Sequence, residues 1–128
     1  MIFASLVFGG VIDRFPGLKI CLAHGGGYSC IGIGHMDCGR QVRPEARTHI
    51  ETPPSKYLRR FYCDTVTHDD SALKMLVDTT GAERILFCTD WPADMRIENP
   101  VQWLNGLDFL TSDEKRMILG CNAGMVFR

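Results

Sequence analysis

Apolar positions fall into short blocks, and each block ends on a breaker or a polar residue that fixes its reading. At residues 2–12, Phe3, Leu6, Val7 and Val11 recur at helical spacing, interrupted by Gly9-Gly10. Phe15-Pro16-Gly17 is a turn, after which Leu18-Lys19-Ile20-Cys21-Leu22-Ala23 runs almost unbroken to His24. Phe61-Tyr62-Cys63 ends in Asp64-Thr65, and Arg84-Ile85-Leu86-Phe87-Cys88 ends in Thr89-Asp90-Trp91-Pro92. Short apolar runs bounded in this way predict strands buried on both faces. Between the second and third runs, Asp69 or Asp70 is positioned to cap a helix that buries Leu73, Leu76 and Val77 and closes at Gly81. Asn99-Pro100 reads as the cap and first residue of another helix, with Val101 and Leu104 inward. Thr111-Ser112-Asp113-Glu114 is a capping box for a last helix carrying Met117 and Ile118 and ending near Gly120. Residues 28–60 follow neither period, and Pro44 and Pro53-Pro54 predict loop or broken helix there.

Strands alternating with helices predict an α/β fold with a parallel sheet. Each strand then ends in a side chain able to do chemistry: His24, Asp64 or Asp90. In such folds the C-terminal strand ends form the active-site rim. The alternatives are ordinary: a histidine that caps a strand, and an aspartate that starts a turn or caps the next helix. Gly25-Gly26-Gly27 after His24 allows a tight bend or a close backbone approach to a ligand. It does not match a dinucleotide fingerprint, whose glycines are spread into a helix.

Size and charge narrow the picture. The 128 residues make one domain, 1–128. The 14 basic and 15 acidic residues leave a net charge of −1, which offers no broad footprint for nucleic acid or an anionic membrane. Function must therefore reside in a local site. The apolar opening Met1–Phe8 carries no basic flank, and Asp13 and Arg14 arrive before a membrane-length span can form, so the chain reads as cytosolic. Cysteines at 21, 30, 38, 63, 88 and 121 contain no C-x-x-C pair. They fit neither a disulfide framework nor a zinc knuckle, and Cys21, Cys63 and Cys88 read as small hydrophobes within strands. Arg40, Arg43, Arg47, Arg59 and Arg60 can bind a carboxylate bidentately, although most such residues form a solvated face.

Several segments taken in order carry a family resemblance. They are Asp13 through Ile20, Ala23-His24-Gly25-Gly26-Gly27, Phe61-Tyr62-Cys63-Asp64-Thr65, Thr89-Asp90-Trp91-Pro92, and Lys115 through Leu119 with Asn122-Ala123. Together they resemble the amidohydrolase-related family, which includes aminocarboxymuconate semialdehyde decarboxylase and related metal-dependent hydrolases and decarboxylases. The resemblance implies a (β/α)8 barrel of about 250 residues, of which this chain matches the C-terminal portion, the last three strands with their helices. The family's His-x-His on the first strand and metal-binding histidine on the fifth have no counterpart here.

By resemblance, Asp90 is a metal ligand and catalytic residue at the end of the eighth strand, and His24 is the acid/base histidine at the end of the sixth. The implied cofactor is a divalent metal ion, zinc with manganese as the alternative. Asp64 and His68 would face the same rim. Where the family often reads G-R-M-D-H-G, this chain has Gly34-His35-Met36-Asp37-Cys38-Gly39. The arginine of that motif binds a substrate carboxylate in decarboxylase-type members, and an imidazole lacks its planar fork. The resemblance thus implies a metal-dependent hydrolase or non-oxidative decarboxylase of a small, carboxylated substrate. Catalytic zinc needs about three protein ligands, so this chain alone is expected to be inactive. It would work as a homo-oligomer or with a missing N-terminal half. The alternatives are a non-catalytic remnant or assembly partner, and an unrelated α/β binding module.

Overall fold

Three parallel strands, β1 (Cys21–Leu22), β2 (Tyr62–Asp64) and β3 (Ile85–Leu86), lie side by side in chain order. Cys21 pairs with Tyr62 and Leu22 with Cys63, while Cys63 pairs with Ile85 and Asp64 with Leu86. The computed structural model describes residues 2–127. Parallel neighbours need a crossover, and here each crossover is helical. From β1 the chain passes through α3 (Ile33–Val42) and the 3-10 segments Pro44–Arg47 and Pro54–Arg60 to β2. From β2 it passes through α4 (Asp70–Thr80) to β3. The helices α1 (Ile2–Phe8) and α2 (Val11–Arg14) precede the sheet. After β3 come α5 (Pro100–Asn105), α6 (Ser112–Arg116) and α7 (Asn122–Val126).

The local signals explain most of these elements. The Asp69 carboxylate accepts the Ala72 N–H at 2.7 Å, and α4 buries Leu73, Leu76 and Val77 before ending at Gly81. Thr111 and Glu114 form the reciprocal capping box at the start of α6. The two helices α1 and α2 meet at Gly9-Gly10. Their residues Phe3, Val7 and Ile12 are buried, with the Phe3 ring 5.0 Å from that of Phe61.

The sheet's two faces differ. Leu22, Cys63 and Ile85 share one face and are buried in the core with the helices. Cys21, Tyr62 and Arg84 lie on the other, where Cys21 is exposed and the Arg84 guanidinium stacks 5.1 Å from the Tyr62 ring.

Five expectations need correction. The strands are shorter than the apolar runs, because beyond Leu86 the backbone leaves the sheet: the Phe87 N–H donates to the Ile118 carbonyl at 3.2 Å. Residues 33–42 form a regular helix despite Gly34 and Gly39. Tertiary contacts hold it: the Asp37 carboxylate accepts the Ser55 N–H at 2.9 Å, and Arg40 donates to the Ile50 and Glu51 carbonyls. In α5 only Leu104 of the expected pair is inward, while Val101 is 50% exposed, since one turn and a half presents a narrow buried stripe. The last helix does not end at Gly120 but passes through a π turn, Met117–Cys121, into α7. Cys21 is not a core residue: it is exposed on the face opposite Leu22, Cys63 and Ile85. Among the described residues, no helix is long and apolar enough to cross a membrane.

Candidate active site

The three strands exit on one edge of the sheet, and three of their exit residues adopt a left-handed backbone. They are His24 (φ 56°) after β1, His68 (φ 55°) after β2 and Asp90 (φ 63°) after β3. Only Asn99 (φ 47°), preceding α5, joins them among the described non-glycine residues. Such a conformation costs an L residue about 1–2 kcal/mol, so the surroundings must hold each one in place.

At the first exit, His24, Gly25, Gly26 and Gly27 all have positive φ. A Cβ at Gly25 would lie 2.7 Å from Thr67 Cγ2, and one at Gly26 would lie 2.9 Å from Cys63 Sγ. Those two glycines are therefore required by packing as well as by conformation. The buried carboxylate of Asp64, from the neighbouring strand, accepts the N–H groups of His24 at 3.0 Å and Gly25 at 2.8 Å. It also accepts the Val66 N–H at 3.1 Å. The His24 imidazole itself is exposed on the rim.

Thr65, fully buried, ties the second exit to the third. Its N–H donates to the Leu86 carbonyl at 3.1 Å. Its hydroxyl donates to the Cys88 carbonyl at 2.9 Å and accepts the Cys88 N–H at 3.0 Å. A side chain thus continues the ladder where β3 has left it. Asp90 follows on a folded loop in which the Ala93 N–H donates to the Asp90 carbonyl and the Ile97 N–H to that of Thr89. The Asp90 carboxylate is half-buried and makes no hydrogen bond among the described residues, so its oxygens are available.

Asn122 anchors β3 from behind. Fully buried, its amide nitrogen donates to the carbonyls of Ala82 at 2.8 Å and Ile85 at 2.7 Å. Its Oδ1 has no partner among the described residues, so the side chain serves through its donors. Sequence pattern alone assigned no role to Thr65 or Asn122, and left Asp64 as a rim residue without one. Each acts through hydrogen bonds between distant segments, which leave no periodic trace.

The structure thus places His24 and Asp90 on the same edge of one sheet, with Asp64 beneath the His24 turn and His68 exposed nearby in sequence. No hydrogen bond or ion pair joins His24, His68 and Asp90 to one another among the described residues. Nor does any group of three or more His, Cys, Asp or Glu among them converge in a way that could hold a metal ion. A catalytic zinc takes about three protein donors, so these residues do not complete such a site by themselves. His35 lines an apolar groove with Ala4, Phe8, Met36 and Val42. Three arginines of residues 40–60 are tied to the protein: Arg40 to the Ile50 and Glu51 carbonyls, Arg47 to the Gln41 carbonyl, and Arg60 to Asp13 and the Ile12 carbonyl.

The Cys21 and Cys63 thiols are poor nucleophiles at neutral pH. Burial pushes the Cys63 thiol well above its usual range, with Cys30, Cys21 and Asp64 adding to the effect. Cys21 lies open on one side but against protein on the other. That partial burial, then the charges of Asp64 and Cys88, hold its thiol up to about 11.

Comparison with known proteins agrees with this architecture. The family model described as Amidohydrolase matches residues 3–128. The chain is 35% identical over 120 residues to 2-amino-3-carboxymuconate-6-semialdehyde decarboxylase of Dictyostelium discoideum, covering 93% of this chain and 33% of that protein. It is 30% identical to gamma-resorcylate decarboxylase of a Polaromonas species, covering 96% of this chain and 38% of the relative. Among solved structures, 5-carboxyvanillate decarboxylase from Sphingomonas paucimobilis superposes with a TM-score of 0.84 at 28% identity, over 98% of this chain and 38% of that one. A dihydroxybenzoic acid decarboxylase from Polaromonas with bound manganese and the inhibitor 2-nitroresorcinol superposes with the same TM-score of 0.84 at 25% identity, again over 98% of this chain and 38% of that one. The chain thus spans 33–38% of the length of these proteins, and its three strands correspond to part of their (β/α)8 barrels. With a family match over nearly its whole length and its own strands laid out as a section of that barrel wall, the chain belongs to the amidohydrolase family.

Proposed function

We propose that this chain supplies the His24 and Asp90 portion of the active-site rim of a metal-dependent, non-oxidative decarboxylase. The observation that carries the reading is the set of left-handed, non-glycine residues at the three strand exits, two of them the residues with the required chemistry. The relatives named above are all decarboxylases, which favours carbon–carbon lyase chemistry over hydrolysis. Their names share one substrate feature, a carboxylate on an unsaturated or aromatic carbon, and that is the substrate class we assign. Manganese in a structural relative supports a divalent ion. Zinc is the other candidate, and Asp90 is the donor this chain would contribute.

The strand-exit residues provide one free carboxylate, Asp90, and no three-donor cluster forms among the described residues, so no step is derived through the metal. What the chain does provide is a proton carrier. An imidazole can both take up and give up a proton, as general acid–base catalysis requires. His24 in its imidazolium form would deliver a proton to the carbon that bears the carboxylate. The bond between that carbon and the carboxylate then breaks, its electron pair returns to the conjugated system, and CO2 leaves.

The remaining ligands would come from outside these 128 residues, from another stretch of polypeptide or a partner chain. The open face of the sheet around Cys21 and the unpaired edges of β1 and β3 are where the rest of a barrel wall would sit. A cytosolic location fits six free thiols. The test is complementation. The chain is co-expressed with the N-terminal two thirds of the Dictyostelium relative, and CO2 release is followed with manganese or zinc. Activity is expected with the pair, none with this chain alone, and a loss of at least about a hundredfold with either His24→Asn or Asp90→Ala. Full activity with Asp90→Ala, or turnover by the isolated chain, would overturn the proposal. Metal titration of the isolated chain with and without Asp90→Ala measures the carboxylate's share directly.

A further inference from the structure

We propose that Asp64 is the positioning residue of the rim, a carboxylate built into β2 that sets the conformation of the His24 turn on β1; the proposal rests on the reading of His24 as the proton carrier. Four successive residues, His24 to Gly27, have positive φ, and their strained turn has no side-chain cap of its own. Successive N–H groups in a tight turn can point inward and make a concave anion site, and here those of His24 and Gly25 do so. In this chain the anion is internal. Asp64 is 7% exposed, and it fills that concavity from the adjacent strand.

The division of its two oxygens is specific. Oδ1 accepts from Gly25 at 2.8 Å and Val66 at 3.1 Å, while Oδ2 accepts from His24 at 3.0 Å. Asp64 therefore makes the exit loop of β1 and the exit loop of β2 one unit. The His24 side chain then projects from a backbone fixed by the next strand rather than by its own loop. A cation at this position would face three donors and an asparagine would bring a donor of its own. Only a carboxylate accepts on both sides.

This asymmetry makes the proposal testable without metal or substrate. In Asp64→Asn the amide oxygen can keep the Gly25 and Val66 bonds, and the NH2 group then opposes the His24 N–H. Amide hydrogen exchange on the 15N-labelled full chain should accelerate at His24 by at least about tenfold. Gly25 and Val66 should change less. The amides of Tyr62, bonded to the Ile20 carbonyl, and Phe87, bonded to the Ile118 carbonyl, should stay within about twofold of wild type. The His24 ring resonances should move in the same variant. Asp64→Ala should release all three amides together. If the variants do not fold, a long-range correlation through the hydrogen bond from the Gly25 amide to the Asp64 carboxyl carbon, recorded on wild type, decides the matter. Its presence supports the brace. Its absence, unchanged His24 exchange in Asp64→Asn, or equal loss of protection at Tyr62 and Phe87 would overturn it. Such a failure would remove the positioning role and leave the decarboxylase reading to the complementation assay.

Discussion

The same three strands present two unlike faces. On one, Leu22, Cys63 and Ile85 are 7%, 1% and 0% exposed, packed under helices that this chain supplies. On the other, Cys21 is open and Tyr62 is covered in part by Arg84 stacking on its ring. Toward the exit edge that second face is again closed, with Asp64 and Leu86 both buried. The contrast separates what the chain completes from what it leaves. Its helices cover one face of these three strands, and its own loops form their share of the rim, but the rest of a barrel needs strands from elsewhere.

Substitution on the two faces should expose this difference most strongly. Ile85→Ala should cost about 2–5 kcal/mol, the range for emptying a packed aliphatic site. Cys21→Ser should stay within about 0.5 kcal/mol, as for surface positions. Denaturant titration of the isolated chain compares them. A large loss with Cys21→Ser would mean that the open face is covered in solution, by a second copy for instance. Next in size is the anchor behind the sheet. Asn122→Ala should cost about 1–3 kcal/mol, because the Ala82 and Ile85 carbonyls lose their buried donors. An unchanged midpoint would show that those carbonyls reach other partners.

A smaller effect should appear in alkali. With its thiol held up to about 11 against an ordinary 9, folded Cys21 keeps its proton where the unfolded chain gives it up. The resulting stabilisation is complete below about pH 9 and lost as the pH climbs towards 11. Alkylation of Cys21 should accelerate through the same window, and Cys21→Ser should make the alkaline fall in stability shallower. Alkylation already at its plateau by pH 9 would contradict this. The smallest change is expected at the surface. The Lys74–Asp78 pair at 2.6 Å joins two side chains that are 52% and 60% exposed. Lys74→Ala should therefore shift stability by no more than about 0.5 kcal/mol, measured in the same titration.

Much of this was legible in the chain. Caps at Asp69 and Thr111 are local signals, since donor and acceptor lie three residues apart, and both appear where the sequence placed them. The apolar runs located all three strands, although Phe87 and Cys88 bond instead to Ile118 and Thr65 and shorten the third. Residues 28–60 read as loop or broken helix, and the regular helix within them at 33–42 was not legible. Gly34 and Gly39 weaken its pattern, and its support comes from Ser55 and from the Ile50 and Glu51 carbonyls, outside any local window.

For the candidate site the division is sharper. The residue types at the strand ends, His24, Asp64 and Asp90, and the glycines that permit a left-handed turn were all readable from the sequence, because they depend on composition at a break in hydrophobic pattern. Which of the three faces solvent, which is buried as a brace and which keeps its oxygens free depended on strand register. Cys63 opposite Leu22 and Asp64 opposite Leu86 put one carboxylate beneath its neighbour's turn. Register is a relation between segments about 20 to 40 residues apart, decided by the whole core's packing, and only the assembled fold contains it.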